Sequence, residues 1–454
     1  MDVKLSFKER FCYSLGSLAC NLLWTATSAF MVIFYTDIAL IPAGIVGIII
    51  GASRILDAFS DIGLGILIDR GKSPQGKARP WLLRMAVPFG IAVFLCFNTS
   101  PDWSLGVRIA YAAITFNLMS TFIYSSVDMP YGVLNAALSQ NQYERSVLNI
   151  FRLFMAIIAG AFINIAVPTM TAAFGGGAQG WRITFAIIGA ISSILFILTY
   201  FNTKERVSAS VQQSDNIPLK VGFKALFKNK YWLLILVYAV LSYTSSGLGG
   251  ISVYFVREVL GDFSLVGVIS LLGVPAMLIG TFTLAPIVKR RGKRVAALIG
   301  IFLGITGNLI LIIAGVSLPI VLVSVVLKGV GSAYIIGTLF AFYADTIEYG
   351  EWKSGVRTAG LVYSASSFGA NVGNGLGVAI VSAALSIGGY VAQETFNNGP
   401  TGQSASTISA ISFVYIWLPV ILLVCMAVIM FFFNLDKEYP IILAELKERR
   451  GEEV

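Results

Sequence analysis

Asp57 and Asp61 lie four residues apart inside IPAGIVGIIIGASRILDAFSDIGLGILIDRGK, an apolar stretch long enough to cross a bilayer. At that spacing the two carboxylates share one helix face, and Arg54 sits a turn earlier on the same side. Burying an ionised side chain at membrane depth costs at least about 2.5 kcal/mol on insertion scales, so such residues face a polar cavity and are kept for a task. Hard cations want oxygen ligands, and two neighbouring carboxylates can hold Na+ or share a proton. The pair reads as an ion-coupling site, with a structural ion-pair network around Arg54 as the plainer alternative. Lys328, in VLVSVVLKGVGSAYIIG, is a second buried charge. It lies about nine residues from the end of its span, roughly 14 Å deep at ~1.5 Å per residue, close to the midplane and too far in for simple snorkelling.

The elements that position these charges are membrane helices. Hydrophobic residues make up 57% of the 454 residues and charged residues 12%, about half the charge of an ordinary soluble chain. The hydropathy breaks into runs of the roughly 20 residues a bilayer requires. They fall near 10–36, 42–68, 82–100, 107–134, 148–172, 181–201, 231–256, 264–288, 295–315, 319–344, 358–386 and 408–434. The expected fold is therefore an all-α membrane protein of twelve spans.

The net charge of +9 is no sign of a nucleic-acid partner, because of where it sits. Arg70, Lys72, Lys77 and Arg79 follow the second span, Lys204 to Lys230 follow the sixth, and Lys289 to Arg294 follow the eighth. Segments at the opposite ends, such as SPDWSLG and GYVAQETFNNGPTGQSAS, hold almost no Lys or Arg. The positive-inside rule then puts both termini in the cytoplasm of a protein embedded in the plasma membrane. The polar start MDVKLSFKER leads directly into a long first span, so no cleaved leader is expected. Cys12, Cys20, Cys96 and Cys425 lie in or beside apolar runs without metal-ligand spacing and read as inert buried thiols. Histidine is absent, so proton chemistry must fall to carboxylates. No cofactor is expected beyond a coupling ion, H+ or Na+.

The polar stretch 202–230 separates residues 1–201 from 231–434, six spans on each side, and 435–454 forms a tail with apolar residues at helical spacing, expected as an amphipathic helix on the membrane surface. A basic loop follows the second span of each half and a mixed-charge loop follows the fourth. Parallel repeats of this kind build the major facilitator fold, with substrate near the midplane. In SSFGANVGNGLGVAI, Gly369, Gly373 and Gly377 form a small-residue face suited to close helix packing.

FYTD, SRILDAFSD, DRGKSPQGKARPW, SSVDMPYG and ADTIEYGEWKSGVRTAGLVYS together resemble the glycoside-pentoside-hexuronide:cation symporters of the major facilitator superfamily, along nearly the whole chain. The resemblance implies cation-coupled symport of a sugar or glycoside by alternating access. It also implies a cation site of Asp57, Ser60, Asp61 and Ser125, and a sugar site in which Asp128 and Arg152 contact or organise the substrate. A salt bridge between Asp128 and Arg152 is the plainer role for that pair.

Other positions depart from the melibiose permease pattern. Asn21 stands for an aspartate, Gly132 for a tryptophan, Asn371 for a lysine and Ile336 for a tryptophan. Trp24 and Tyr131 are candidates for an aromatic platform, although packing is the commoner use of such rings. Lys328 either replaces the missing span-eleven lysine, meeting Asp57, Asp128 or an acidic substrate, or balances an internal carboxylate. With Ser60 for an amide and Asn21 for an acid, H+ is favoured slightly over Na+. The resemblance further makes Asp69 and Arg70 a loop gate, with Asp345, Glu348 and Arg357 as its second-half counterpart; solvated charged loops are the alternative. Two other readings compete. The same fold could carry a lysolipid, and an intramembrane phosphotransferase could use the acids on Mg2+. The latter needs the acids clustered, but Asp69 lies about 12 Å along the helix from Asp61.

Overall fold

The structure, a computed structural model, describes residues 5–70, 76, 78–139, 142–206, 224–355, 359–392 and 401–450. Arg357 lies outside the described residues, and Asp61, Asp69 and Arg70 are described as helix backbone only. Among the described residues the regular elements are all helical. In chain order they are α1 (Phe7–Ile33), α2 (Ala43–Arg70), α3 (Arg79–Cys96), α4 (Leu105–Asn117), α5 (Ser125–Leu138), α6 (Gln142–Ala173), α7 (Gly177–Asn202), α8 (Lys230–Gly247), α9 (Ile251–Glu258), α10 (Leu265–Arg291), α11 (Lys293–Ile313), α12 (Leu318–Ser354), α13 (Ala359–Ile387), α14 (Ala405–Ser412), α15 (Leu418–Phe432) and α16 (Leu435–Arg450).

Among the described residues, eleven helical segments are long and apolar enough to cross a membrane. The remaining expected span is α2, whose 28 residues extend about 42 Å at ~1.5 Å per residue. Several spans are not single α-helices. Phe34–Ile38, Leu118–Tyr124 and Phe413–Trp417 are wide π turns, and Leu248–Gly250 is a tight 3₁₀ turn. Pro130 lies inside α5, which continues through it.

The chain divides into two compact units: Met1–Gln212 with Gly249–Ser270 and Val378–Ile411, and Gln213–Leu248 with Leu271–Gly377 and Ser412–Val454. In the first unit α1 packs on α6 and α7, and α3 packs on α7. A Cβ at Gly189 would come within 2.6 Å of the Gly90 carbonyl oxygen, so glycine is what allows α3 and α7 to approach so closely. Phe34, Phe97, Trp181 and Phe185 stack beside that crossing.

A buried ionic cluster lies in the same unit. Arg257 is fully buried and donates from Nη2 to Asp37 Oδ1 at 3.0 Å and from Nε to Glu258 Oε1 at 2.8 Å. Tyr390 donates to Asp37 at 2.6 Å, Thr36 donates to the other Asp37 oxygen at 2.7 Å, and the Thr401 amide donates to Glu258 at 2.9 Å. Further braces join Arg10 to Glu144 and Arg206 to Glu9, each through two hydrogen bonds.

In the second unit α8 packs against α12 and α15, and α11 pairs with α12. The expected glycine face does pack. A Cβ at Gly373 would sit 2.7 Å from the Val240 carbonyl oxygen, and Gly377 abuts Thr244 and Gly247. The thiol expectation holds for three cysteines, but Cys425 is exposed. It shares α15 with exposed Ile421, Val424 and Val428, an apolar surface suited to lipid tails.

The tail is not a loose surface helix. Leu435, Ile442 and Leu446 of α16 enter the same core as Tyr231, Phe342 and Phe433. Glu438 accepts from Tyr231 at 3.0 Å, Glu445 accepts from the Trp352 indole at 2.6 Å, and Tyr439 donates to Glu348. Burial, with the Glu348 carboxylate beside it, pushes the Tyr439 phenol well above its ordinary range, so it stays a donor. Leu446→Ala is expected to destabilise the protein by about 2–5 kcal/mol, the usual range for a buried leucine, read as earlier thermal unfolding in detergent.

Candidate functional site

Asp57 is 5% exposed and accepts from three neighbouring side chains. Its neighbours come from α2 and from the π turn Leu118–Tyr124. Thr121 Oγ1 donates to Oδ1 at 2.5 Å, Ser120 Oγ reaches both oxygens at 3.2 and 3.1 Å, and Arg54 Nη1 reaches Oδ2 at 3.3 Å. The wide turn adds a residue to the local repeat and so changes which side chains look inward. The resemblance points to Ser125 as the span-four hydroxyl, so Ser120 and Thr121 are partners that it does not name.

The other predicted cation residues are placed differently. Ser60 Oγ is 3.1 Å from the carbonyl oxygens of Asp57 and Thr121, stitching α2 to the π turn instead of touching the carboxylate. Ser125 is buried at the start of α5. Asp61 follows Asp57 by one turn of the α2 backbone.

Arg54 also lies 5.3 Å over the Trp24 ring, and Trp24 is 6.1 Å from Tyr124. This places Trp24 of α1 beside the Asp57 cluster. Among the predicted sugar residues, Arg152 stacks over Tyr131 at 4.7 Å and feels the Asp128 charge. Tyr131 is fully buried, stacked on Tyr13 at 4.9 Å, and donates to the Tyr13 carbonyl at 2.9 Å. Its role here is to pack and to support Arg152, not to offer an open platform. Ser17 donates to the Arg152 carbonyl at 2.9 Å, and Asn21 donates to the Ser17 carbonyl at 2.8 Å. The first unit thus gathers Asn21, Trp24, Asp57, Asp128 and Arg152 on α1, α2, α5 and α6.

Lys328 belongs to the second unit. It lines a 340 Å³ cavity with Ser242, Ser245, Ser246, Asn308 and Ser332, and its ammonium lies 4.2 Å over the Tyr415 ring. Among the described residues no carboxylate forms an ion pair with it. Asn371, half-buried on α13, is outside that lining. Of the expected gate, Lys293 Nζ donates to Asp345 at 2.6 and 2.7 Å, and Glu348 accepts from Tyr439. Both act as braces within the second unit.

Among the described residues, eleven apolar helical segments of spanning length together with α2, carrying buried carboxylates, arginines and a lysine, fit a multi-pass membrane transporter of the major facilitator fold. Residues 12–437 match the MFS/sugar transport protein family, and the chain belongs to it. It is 35% identical to the isoprimeverose transporter of Lactiplantibacillus pentosus, over 98% of this chain and 92% of that protein. It is 30% identical to a glucuronide carrier protein homolog of Escherichia coli strain K12, over 99% of this chain and 97% of the relative. The xylose transporter XylE from E. coli, solved in a partially occluded inward open conformation, shares the fold with a TM-score of 0.62 at 15% identity, covering 94% of this chain and 99% of that one. The family is one of carriers, which removes the phosphotransferase reading.

Proposed function

We propose that the protein is a plasma-membrane symporter that couples inward movement of H+ or Na+ to uptake of a sugar or glycoside, with both termini cytoplasmic. The observation that carries this is Asp57, a buried carboxylate ringed by two hydroxyls and a guanidinium in a family of sugar carriers. A cation arriving at Asp57, with Asp61 as its second carboxylate, relieves the charge that Arg54 balances in its absence. That change is felt at Trp24, on which Arg54 stacks. Asp128 and Arg152 then orient the substrate hydroxyls, a carboxylate accepting and a guanidinium donating. The coupling ion tightens sugar binding by the factor by which sugar tightens ion binding. No resident cofactor enters the cycle, and an acidic sugar is the finer reading because Arg152, beside which Asp128 orients hydroxyls, offers positive charge.

Proteoliposome uptake of labelled isoprimeverose, glucuronides and a lysolipid tests this. A pH gradient without Na+ is expected to drive sugar accumulation. Dependence on Na+ alone would reverse the preferred ion, and accumulation of the lysolipid alone would overturn the sugar assignment.

A further inference from the structure

The cavity around Lys328 contains more polar chemistry than one lysine. Asn308 is 1% exposed, and its Nδ2 donates to the Gly304 carbonyl of its own helix at 2.9 Å. That bond orients the amide and leaves Oδ1, buried and without a hydrogen-bond partner among the described residues, on a side chain that lines the cavity. Buried acceptors in native proteins are normally satisfied, so an orphan beside a cavity marks a place where a donor is brought in from outside. Ser242, Ser245, Ser246 and Ser332 add hydroxyls that can donate or accept, while Leu423 and Met426 supply an apolar wall. Lys328 lines the same cavity, with its amino group 4.2 Å over the Tyr415 ring, and among the described residues it forms no ion pair.

We infer that this cavity is a binding subsite for a single hydroxylated ring bearing an anionic substituent. Asn308 accepts from a ring hydroxyl, and Lys328 pairs with the acid group. A volume of 340 Å³ is near the lower end of the roughly 300–1,000 Å³ usual for ligand pockets, which suits one ring better than a whole disaccharide. The serines satisfy the remaining hydroxyls, and the apolar wall takes the C–H face of the ring. This rests on the symport reading for its substrate class, but the subsite can be tested by binding without coupling.

The probes are the p-nitrophenyl β-glucuronide and β-glucoside, together with the galacturonide and galactoside. Each pair differs only at the acid group. Thermal stabilisation of the detergent-solubilised protein reads equilibrium binding, and counterflow in proteoliposomes reads transport without an ion gradient. The wild type is expected to prefer one uronide over its neutral partner by about tenfold or more, the scale of one charge-assisted contact. Lys328→Met should abolish that preference, bringing the uronide to the level of its neutral partner, and Lys328→Arg should retain it. Asn308→Leu should weaken the acidic and neutral members of the bound pair alike, by about tenfold. No acid preference in the wild type, or the same preference in Lys328→Met, would overturn the subsite. Loss of ion-driven accumulation with the binding pattern intact would count against the symport reading alone.

Discussion

Asp57→Asn is expected to abolish ion-driven accumulation, bringing internal sugar down to the external level, while exchange of labelled for unlabelled sugar continues. The substitution keeps the side-chain shape but removes the charge held by Arg54, Ser120 and Thr121. An amide oxygen can still accept from a hydroxyl, so the packing between α2 and the π turn survives. Without a carboxylate the site no longer offers the oxygen charge a hard cation needs, nor a group that titrates. Expression should stay near normal, because replacing an intramembrane carboxylate by an amide lowers the burden of insertion. Parallel assays of accumulation and exchange in membrane vesicles check this, and wild-type accumulation in Asp57→Asn would sink the coupling assignment. Asp61→Asn, motivated by the shared helix face, is expected to behave alike.

The second large effect is on stability. Arg257→Met should destabilise the protein by about 3–5 kcal/mol, the range found when one partner of a buried ion pair is removed. Among the described residues Arg257 is the cation paired with Asp37 and Glu258, and its loss leaves two carboxylates in a space that admits almost no water. The tyrosine and threonine hydroxyls around them cannot supply the missing charge. Unfolding temperature in detergent, measured beside expression level, reads the effect. Adding Asp37→Asn to Arg257→Met should recover part of the loss, because the second change removes a charge that the first left stranded. Additive losses in the double variant would contradict this account of the cluster.

Much of the carrier was legible before any coordinates. Spanning helices follow from runs of apolar residues that water would not tolerate, and a charge inside such a run announces itself by its cost. That is why Asp57, Arg54 and Lys328 stood out, and why Gly369, Gly373 and Gly377, spaced by whole helical turns, were readable as a packing face. Tyr131 was open to two readings, since a ring in an apolar span looks the same in sequence whether it packs or faces a cavity; its stack on Tyr13 decided the matter.

What the sequence by itself determined was therefore one-dimensional: the succession of apolar runs, the grouping of basic loops, and the position of each charge along its run. Tertiary structure decided partnership. Helices that are apolar all round carry little signal for their rotation, so nothing local indicated that a π turn would aim Ser120 and Thr121 at Asp57. Arg257 and Asp37 are 220 residues apart and Asp37 and Tyr390 are 353 apart, separations at which no periodicity links one side chain to another. The docking of α16 through Leu446 and Tyr439, and the orphaned Asn308 oxygen beside Lys328, likewise arise only when separate helices close around a shared space. Hydropathy is a property of each segment alone, whereas register and hydrogen-bond satisfaction belong to pairs of segments, and only packing settles them.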